Sequence, residues 1–211
     1  LFLNHEKYNF ESGIETFESL NKINSDRYQY IFPYYNFDTS ITQNYLEGDL
    51  TFFSSGSNEL INTNNLKTLI NNDLIYSSRN HIFDTGLNSN FEVNLKNLNS
   101  IGKKVSNYKS SPQIELGSLF NLDFSLPLIK YSEKYTNFLT PKMSFRFNPS
   151  DMKNYSNADK KIDVGNIFAI NRLGLTDTFE GGRSMTVGLN YKKEKKYNLD
   201  EINKYFEFKL A

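Results

Sequence analysis

The sequence predicts an all-β protein, part of an antiparallel transmembrane β-barrel that supplies about nine or ten strands of a larger barrel. Three observations carry that expectation. Apolar residues recur at every second position in segment after segment, so each segment presents one apolar and one polar face. Mean hydropathy is low, although Phe and Tyr together reach 15% of the chain. No run of 18 or more apolar residues is present to make a transmembrane helix. A barrel hides its hydrophobicity in this way, because each strand gives only every other side chain to lipid and the rest to a polar lumen.

Taken in order, residues 1 to 24 are mixed polar and aromatic, and "RYQYIFPYYNF" follows with Tyr28, Tyr30, Phe32 and Tyr34 expected on one face. Pro33 falls on the other face, where a proline within a strand signals an edge or a bulge. "GDLTFFSS" reads as the next strand. Ser57 to Asn72 is Asn-rich and reads as a connection able to carry a short helix, with Leu60, Ile61, Leu66, Leu69 and Ile70 loosely at helical spacing. "DLIYSSRNHIF" and "GLNSNFEVNLKNLNS" are strands, the second with Phe91, Val93 and Leu95 on one face. "IGKKVSNYKSSPQ" is a basic, polar turn or loop. A long strand is expected from Ile114 to Ile129, where Leu116, Phe120, Leu122, Phe124, Leu126 and Leu128 hold one face and only Ser118 interrupts the row. At about 3.3 Å per residue it is long enough to cross a hydrocarbon layer when tilted. Leu139, Pro141, Met143, Phe145 and Phe147 alternate with Thr140, Lys142, Ser144 and Arg146 in the next strand. "NPSDMKNYSNADKKIDVGN" is polar and turn-forming. A further loop spans Asn171 to Arg183, and the strand from Ser184 carries Met185, Val187, Leu189 and Tyr191 on one face. "KKEKKYNLDE" reads as a charged turn before a last strand with Phe206, Phe208 and Leu210 aligned. No helix–strand alternation is seen, which disfavours a parallel sheet, and no fixed repeat suggests a propeller or β-helix.

Composition narrows the function classes. With 24 basic and 24 acidic residues there is no electrostatic footprint for nucleic acid. Absence of cysteine removes disulfides, thiol catalysis and thiolate metal sites from this stretch. His5 and His81 lie far apart with no second ligand at metal spacing, so no metal is expected. No G-x-S-x-G elbow, P-loop or dinucleotide fingerprint occurs, so no catalytic residue, no cofactor and no enzyme activity are expected. The chain begins without Met and ends in what reads as a strand, so a piece of a longer protein is expected.

One stretch carries more than periodicity. It holds "TPK.SFR..P" (Thr140, Pro141, Lys142, Ser144, Phe145, Arg146, Pro149), then "D..N.F..NR" (Asp163, Asn166, Phe168, Asn171, Arg172), then "EGG..MT.GL.Y" (Glu180, Gly181, Gly182, Thr186, Gly188, Leu189, Tyr191). These motifs, in this order over more than fifty residues, resemble the late barrel region of the LptD family of lipopolysaccharide-assembly proteins. "P.I.LG....L.FSLPL" and "F.S..ETFESLN" are similar to the family more loosely. The resemblance implies that residues 1–211 are part of a C-terminal barrel in the cell outer membrane. It also implies an N-terminal periplasmic domain and barrel ends absent from this stretch. Its partners would be lipopolysaccharide, the outer-membrane lipoprotein LptE as barrel plug, and a periplasmic lipopolysaccharide bridge reached through the missing domain. The function implied is insertion of lipopolysaccharide into the outer leaflet, and the alternative is a porin-like or other outer-membrane transport barrel. A soluble β-sandwich remains a second alternative.

The motif residues have mechanical readings beside the functional ones. Asn171 and Arg172 could face substrate or plug, but tying the loop to the barrel rim is preferred. Gly181 and Gly182 permit positive φ in a tight connection, while Glu180 is expected to pair with a cation such as Arg183 or Arg172. Lysines of "KKEKKYNLDE" could meet lipid phosphates, and a solvated turn is preferred. Met185, Val187, Leu189, Phe145, Phe124 and Leu122 are expected to point outward.

Overall fold

Long alternating segments favour extended backbone that pairs with its chain neighbour, and that is the rule throughout. The protein is described from a computed structural model covering residues 1–21, 27–42, 47–62, 64–106, 108–151, 160–175, 178–196 and 202–211. Its strands are β1 (Phe2–Asn4), β2 (Tyr8–Glu18), β3 (Tyr28–Ile41), β4 (Gly48–Ile61), β5 (Asn65–Ser78), β6 (His81–Ile82), β7 (Asn88–Lys103), β8 (Gln113–Ser125), β9 (Leu128–Tyr131), β10 (Tyr135–Asn148), β11 (Gly182–Lys196) and β12 (Ile202–Leu210). Among the described residues no α-helix forms. The order is β1-β2-β3-β4-β5-β7-β8-β10-β11-β12, with β6 on β7 and β9 on β10, in one sheet whose ends are β1 and β12. The pairs whose register is resolved are antiparallel, as expected from hairpin-connected strands.

Residues 1–76 and 94–118 form one compact unit. Within it β3 carries one extra residue at Phe32–Pro33 relative to both β2 and β4, since Ile31 faces Glu15 and Glu59 while Tyr34 faces Gly13 and Ser57. The bulge expected at Pro33 is present, but it reverses the alternation. Tyr34 therefore leaves the face of Tyr28 and Tyr30, contrary to the expected row, and Tyr35 takes its place. The connection expected over Ser57 to Asn72 is also overturned: β4 runs on to Ile61 and β5 starts at Asn65, leaving a tight turn with Asn62 at φ 54°. Asn58 and Asn72 are strand residues that bond sideways. Thr68 donates to Asn58 at 2.7 Å, Ser54 to Asn72 at 2.7 Å, and Asn72 to Asn97 at 3.1 Å. The basic segment after Ser100 is partly strand, because β7 continues to Lys103.

Residues 77–93 and 119–211 form the second unit. The expected strand from Ile114 to Ile129 is divided between β8 and β9, which keep the same register on β10. The reason is chemical. Leu126 N–H donates to the Pro141 carbonyl at 3.0 Å, but Pro141 has no N–H to return the bond, so the ladder lapses there. The charged turn is shorter than expected, because Lys192 to Lys196 belong to β11; residues 197–201 lie outside those described. Phe206, Phe208 and Leu210 face Lys193, Tyr191 and Leu189 and share one face, as expected.

Burial is inverted relative to a water-soluble sheet. Among the described residues the buried apolar side chains are Leu98, Leu119 and Leu173 only, whereas Asn94, Lys96, Ser100, Asn121, Ser144, Arg146, Thr186 and Glu194 are buried. Met185 and Val187 are each 59% exposed, and Phe145, Phe147, Phe206, Phe208 and Leu210 are exposed with them. Leu122, Phe124 and Leu189 are half-buried on that same face. A water-soluble sheet buries its apolar rows. This one buries its polar rows.

Candidate functional site

The resemblance motifs converge on the polar face of β10 and β11. Alternation places Lys142, Ser144, Arg146 and Asn148 on that face of β10, opposite Gly188, Thr186, Ser184 and Gly182 of β11. Ser144 donates to Asn121 of β8 at 3.1 Å, and Asn121 donates to Asp123 at 2.6 Å. The row is thus cross-linked strand to strand.

Residues 160–175 lie over this face as a turn-rich strap, stiffened by its own polar side chains. The Asp163 carboxylate accepts from the Gly165 and Asn166 amides at 2.7 and 3.1 Å. Asn166 returns the favour to the Asp163 amide at 2.9 Å and donates to the Lys161 carbonyl at 2.7 Å. Such Asx-type bonds are why Asp and Asn, rather than residues of other chemistry, occupy these positions. Asn171 closes the strap's end, donating to the Leu175 carbonyl at 2.6 Å and accepting from its amide at 2.8 Å.

Two side chains fix the strap to the sheet. Phe168 lies against Gly188, where an added Cβ would stand 2.7 Å from the ring and 2.8 Å from the Leu210 carbonyl oxygen. Glycine is required there by close approach. Lys142 Nζ sits 6.0 Å from the centre of the same ring. Arg172 donates through Nε to Glu180 Oε2 at 3.0 Å and through Nη2 to Glu180 Oε1. Arg146 donates through Nη1 to Glu180 Oε2 at 3.1 Å and through Nη2 to the Ile170 carbonyl at 2.9 Å. All three charged residues are 7% exposed. One carboxylate therefore joins β10, the strap and the approach to β11 in a charge-assisted cluster.

The turn into β11 is equally constrained. A Cβ on Gly181 would stand 2.5 Å from the Asp151 carbonyl oxygen, and Gly182 has φ +87° while donating to the Ser150 carbonyl at 3.0 Å. Both glycines were expected for positive φ; the structure assigns that to Gly182 and close backbone approach to Gly181.

Of the expected site residues, Arg146, Arg172, Glu180, Gly181, Gly182 and Gly188 come together, Asn166 and Asn171 brace the strap, and Pro141 marks the ladder gap. Asn171 and Arg172 both make hydrogen bonds that hold the loop, by different routes: Asn171 is exposed and closes the strap on Leu175, whereas Arg172 is buried on Glu180. Glu180 takes Arg172, as expected for one of the two named cations, and adds Arg146 in place of Arg183. Asn148 was missed. It donates to the Glu180 carbonyl at 3.1 Å and accepts from the Ser150 amide at 2.9 Å, and its place on the Arg146 face of the alternation was the available signal. The histidines have aromatic surroundings, His5 stacked on Tyr8 and His81 edge-on to Phe83.

The geometry holds a strap against a polar sheet face. Compared with known protein families and with curated proteins, the chain finds no match.

Proposed function

We propose that this chain is wall and strap of an outer-membrane β-barrel that inserts lipopolysaccharide into the outer leaflet, with an LptE-like lipoprotein as plug and a periplasmic bridge as supplier. The observation that carries the reading is the inverted burial: apolar rows exposed, polar rows buried. Exposed apolar rows of this length suit a hydrocarbon surround, since a barrel strand needs about 9–11 residues to cross, and β10 and β11 have 14 and 15. The polar face suits a lumen that passes sugars. Transport of an amphiphile requires no covalent step, so the residues act by shape, hydration and charge.

The strap supports this reading over a simple diffusion pore, because it lies over the polar face and is clamped by buried charge. Depletion of the protein in the cells that make it tests the proposal. Newly made lipopolysaccharide should fail to reach the cell surface and should accumulate inside. Normal surface lipopolysaccharide combined with reduced uptake of small solutes would favour the porin-like alternative and overturn the proposal.

A further inference from the structure

We propose that three lysines on the outward face, Lys130, Lys193 and Lys195, bind the phosphates of anionic phospholipids in the periplasmic leaflet. This rests on the outer-membrane reading above, since it needs a bilayer around that face.

Cross-strand register brings the three together, because residues directly opposite one another share a face. Leu128, Leu139, Tyr191 and Phe208 lie side by side across β9, β10, β11 and β12. Two residues further along each strand stand Lys130, Asn137, Lys193 and Phe206, and beyond them Tyr135 faces Lys195. On β9 and β11 the outward side chain thus changes from apolar to lysine in one step. Aromatic rings mark the same border. Lys193 Nζ is 4.3 Å from the centre of the Tyr135 ring, Tyr191 and Phe206 have ring centres 6.4 Å apart, and the Tyr191 hydroxyl donates to Asn137 at 2.9 Å. Lysine stems lying on apolar surface beside aromatic rings, with the ammonium groups beyond, are the arrangement of a bilayer interface.

Charge gives the second argument. Lys130 and Lys195 are exposed and Lys193 is half-buried. Among the described residues none of the three makes an ion pair, whereas on the opposite face Lys192 takes Glu194 and Lys209 takes Glu207. Unpaired cations at the edge of an apolar surface complement an anion that carries its own hydrocarbon, with acyl chains along Leu128, Leu139 and Phe208. The connections identify the leaflet. These lysines lie at the end where β9 meets β10 through 132–134 and β11 meets β12 through 197–201, whereas the other ends of β10 and β11 meet the long connection 149–181. Longer loops mark the external side of such barrels. The lysines are therefore at the periplasmic end, where the leaflet is phospholipid, and away from the leaflet that receives lipopolysaccharide.

The test uses the full-length protein in detergent, titrated with phosphatidylglycerol and followed by native mass spectrometry, with phosphatidylethanolamine of the same chains as comparator. Phosphatidylglycerol should be retained in preference. Lys193→Gln should weaken that retention about five-fold, Lys130→Gln and Lys195→Gln should weaken it further, and Lys193→Arg should keep it. Lys192→Gln removes the same charge from the opposite face and should leave retention unchanged. Equal retention in the wild type and the triple Gln variant, or equal loss in Lys192→Gln and Lys193→Gln, would overturn the proposal. Glu133→Cys, in the turn beside these lysines, tests the leaflet: a membrane-impermeant thiol reagent should label it only after the outer membrane is permeabilised, and labelling in intact cells would overturn the periplasmic placement. Alkaline extraction of membranes separates the two levels. Protein that stays in the membrane while the triple Gln variant is without effect overturns the lipid site alone, and protein that is extracted overturns the outer-membrane reading with it.

Discussion

Glu180→Gln preserves the shape of the side chain and removes the one negative charge between two buried guanidiniums. Arg146 and Arg172 are each 7% exposed, so neither regains its hydration while the strap stays in place. Breaking a buried pair in this way costs about 3–5 kcal/mol, because the remaining charge is uncompensated. Swinging the strap away returns Arg172 to water, so the cost appears as strap opening. At about 1.4 kcal/mol per decade, the lower figure raises the open population roughly a hundred-fold. Arg172→Met behaves differently: it leaves Arg146 and Glu180 as a one-to-one pair and puts an apolar group in the strap, for about 1–2 kcal/mol. Trypsin cleavage at the exposed Lys160 and Lys161 of folded, detergent-solubilised protein reads both, since proteolysis tracks the open population when closing is fast. Glu180→Gln should be cut far faster than Arg172→Met. A rate within two-fold of wild type, or the opposite order, would refute the reasoning.

Other substitutions probe other parts. Gly188→Ala places a Cβ 2.7 Å from the Phe168 ring and 2.8 Å from the Leu210 carbonyl oxygen; overpacking should cost about 1–3 kcal/mol and speed trypsin cleavage of the strap. Phe168→Ala should recover only part of this, as the Leu210 carbonyl remains. Val187→Arg puts a charge on the outward face and should lower folding stability in bilayers by about 2–4 kcal/mol, measured by reversible unfolding from vesicles. Asp73→Ala removes the carboxylate acceptor 2.9 Å from buried Lys96 Nζ; the thermal unfolding temperature should fall, and Lys96→Met on the same background should restore it.

Periodicity made strand positions and faces legible wherever the backbone ran without interruption. Met185, Val187, Phe145 and the Phe206–Leu210 row lie where alternation puts them. It failed at Tyr34, because a one-residue bulge flips every later side chain and nothing in the pattern counts the extra residue. The Ser57–Asn72 segment misled for another reason: Asn is read as a turn former, yet here asparagines cross-link neighbouring strands, an option that exists only once those strands are adjacent. Pro141 was visible as a motif residue, but the gap it leaves between β8 and β9 depends on its partner being Leu126. At the site, the motifs named Arg146, Arg172 and Glu180 as members. Their shared carboxylate was hidden because Arg146 and Glu180 are 34 positions apart. Phe168 on Gly188 was hidden likewise, since a ring over a glycine is a tertiary fact.

The central claim is that the apolar rows face lipid and the polar rows do not. This stretch has no cysteine, so single-cysteine variants at Met185, Val187, Leu189, Phe145, Phe124 and Leu122 in native membranes test it directly. The account predicts that these sites resist a charged, water-soluble thiol reagent in membranes and react with a lipid-soluble one. Strong reaction with the water-soluble reagent at most of them would contradict it.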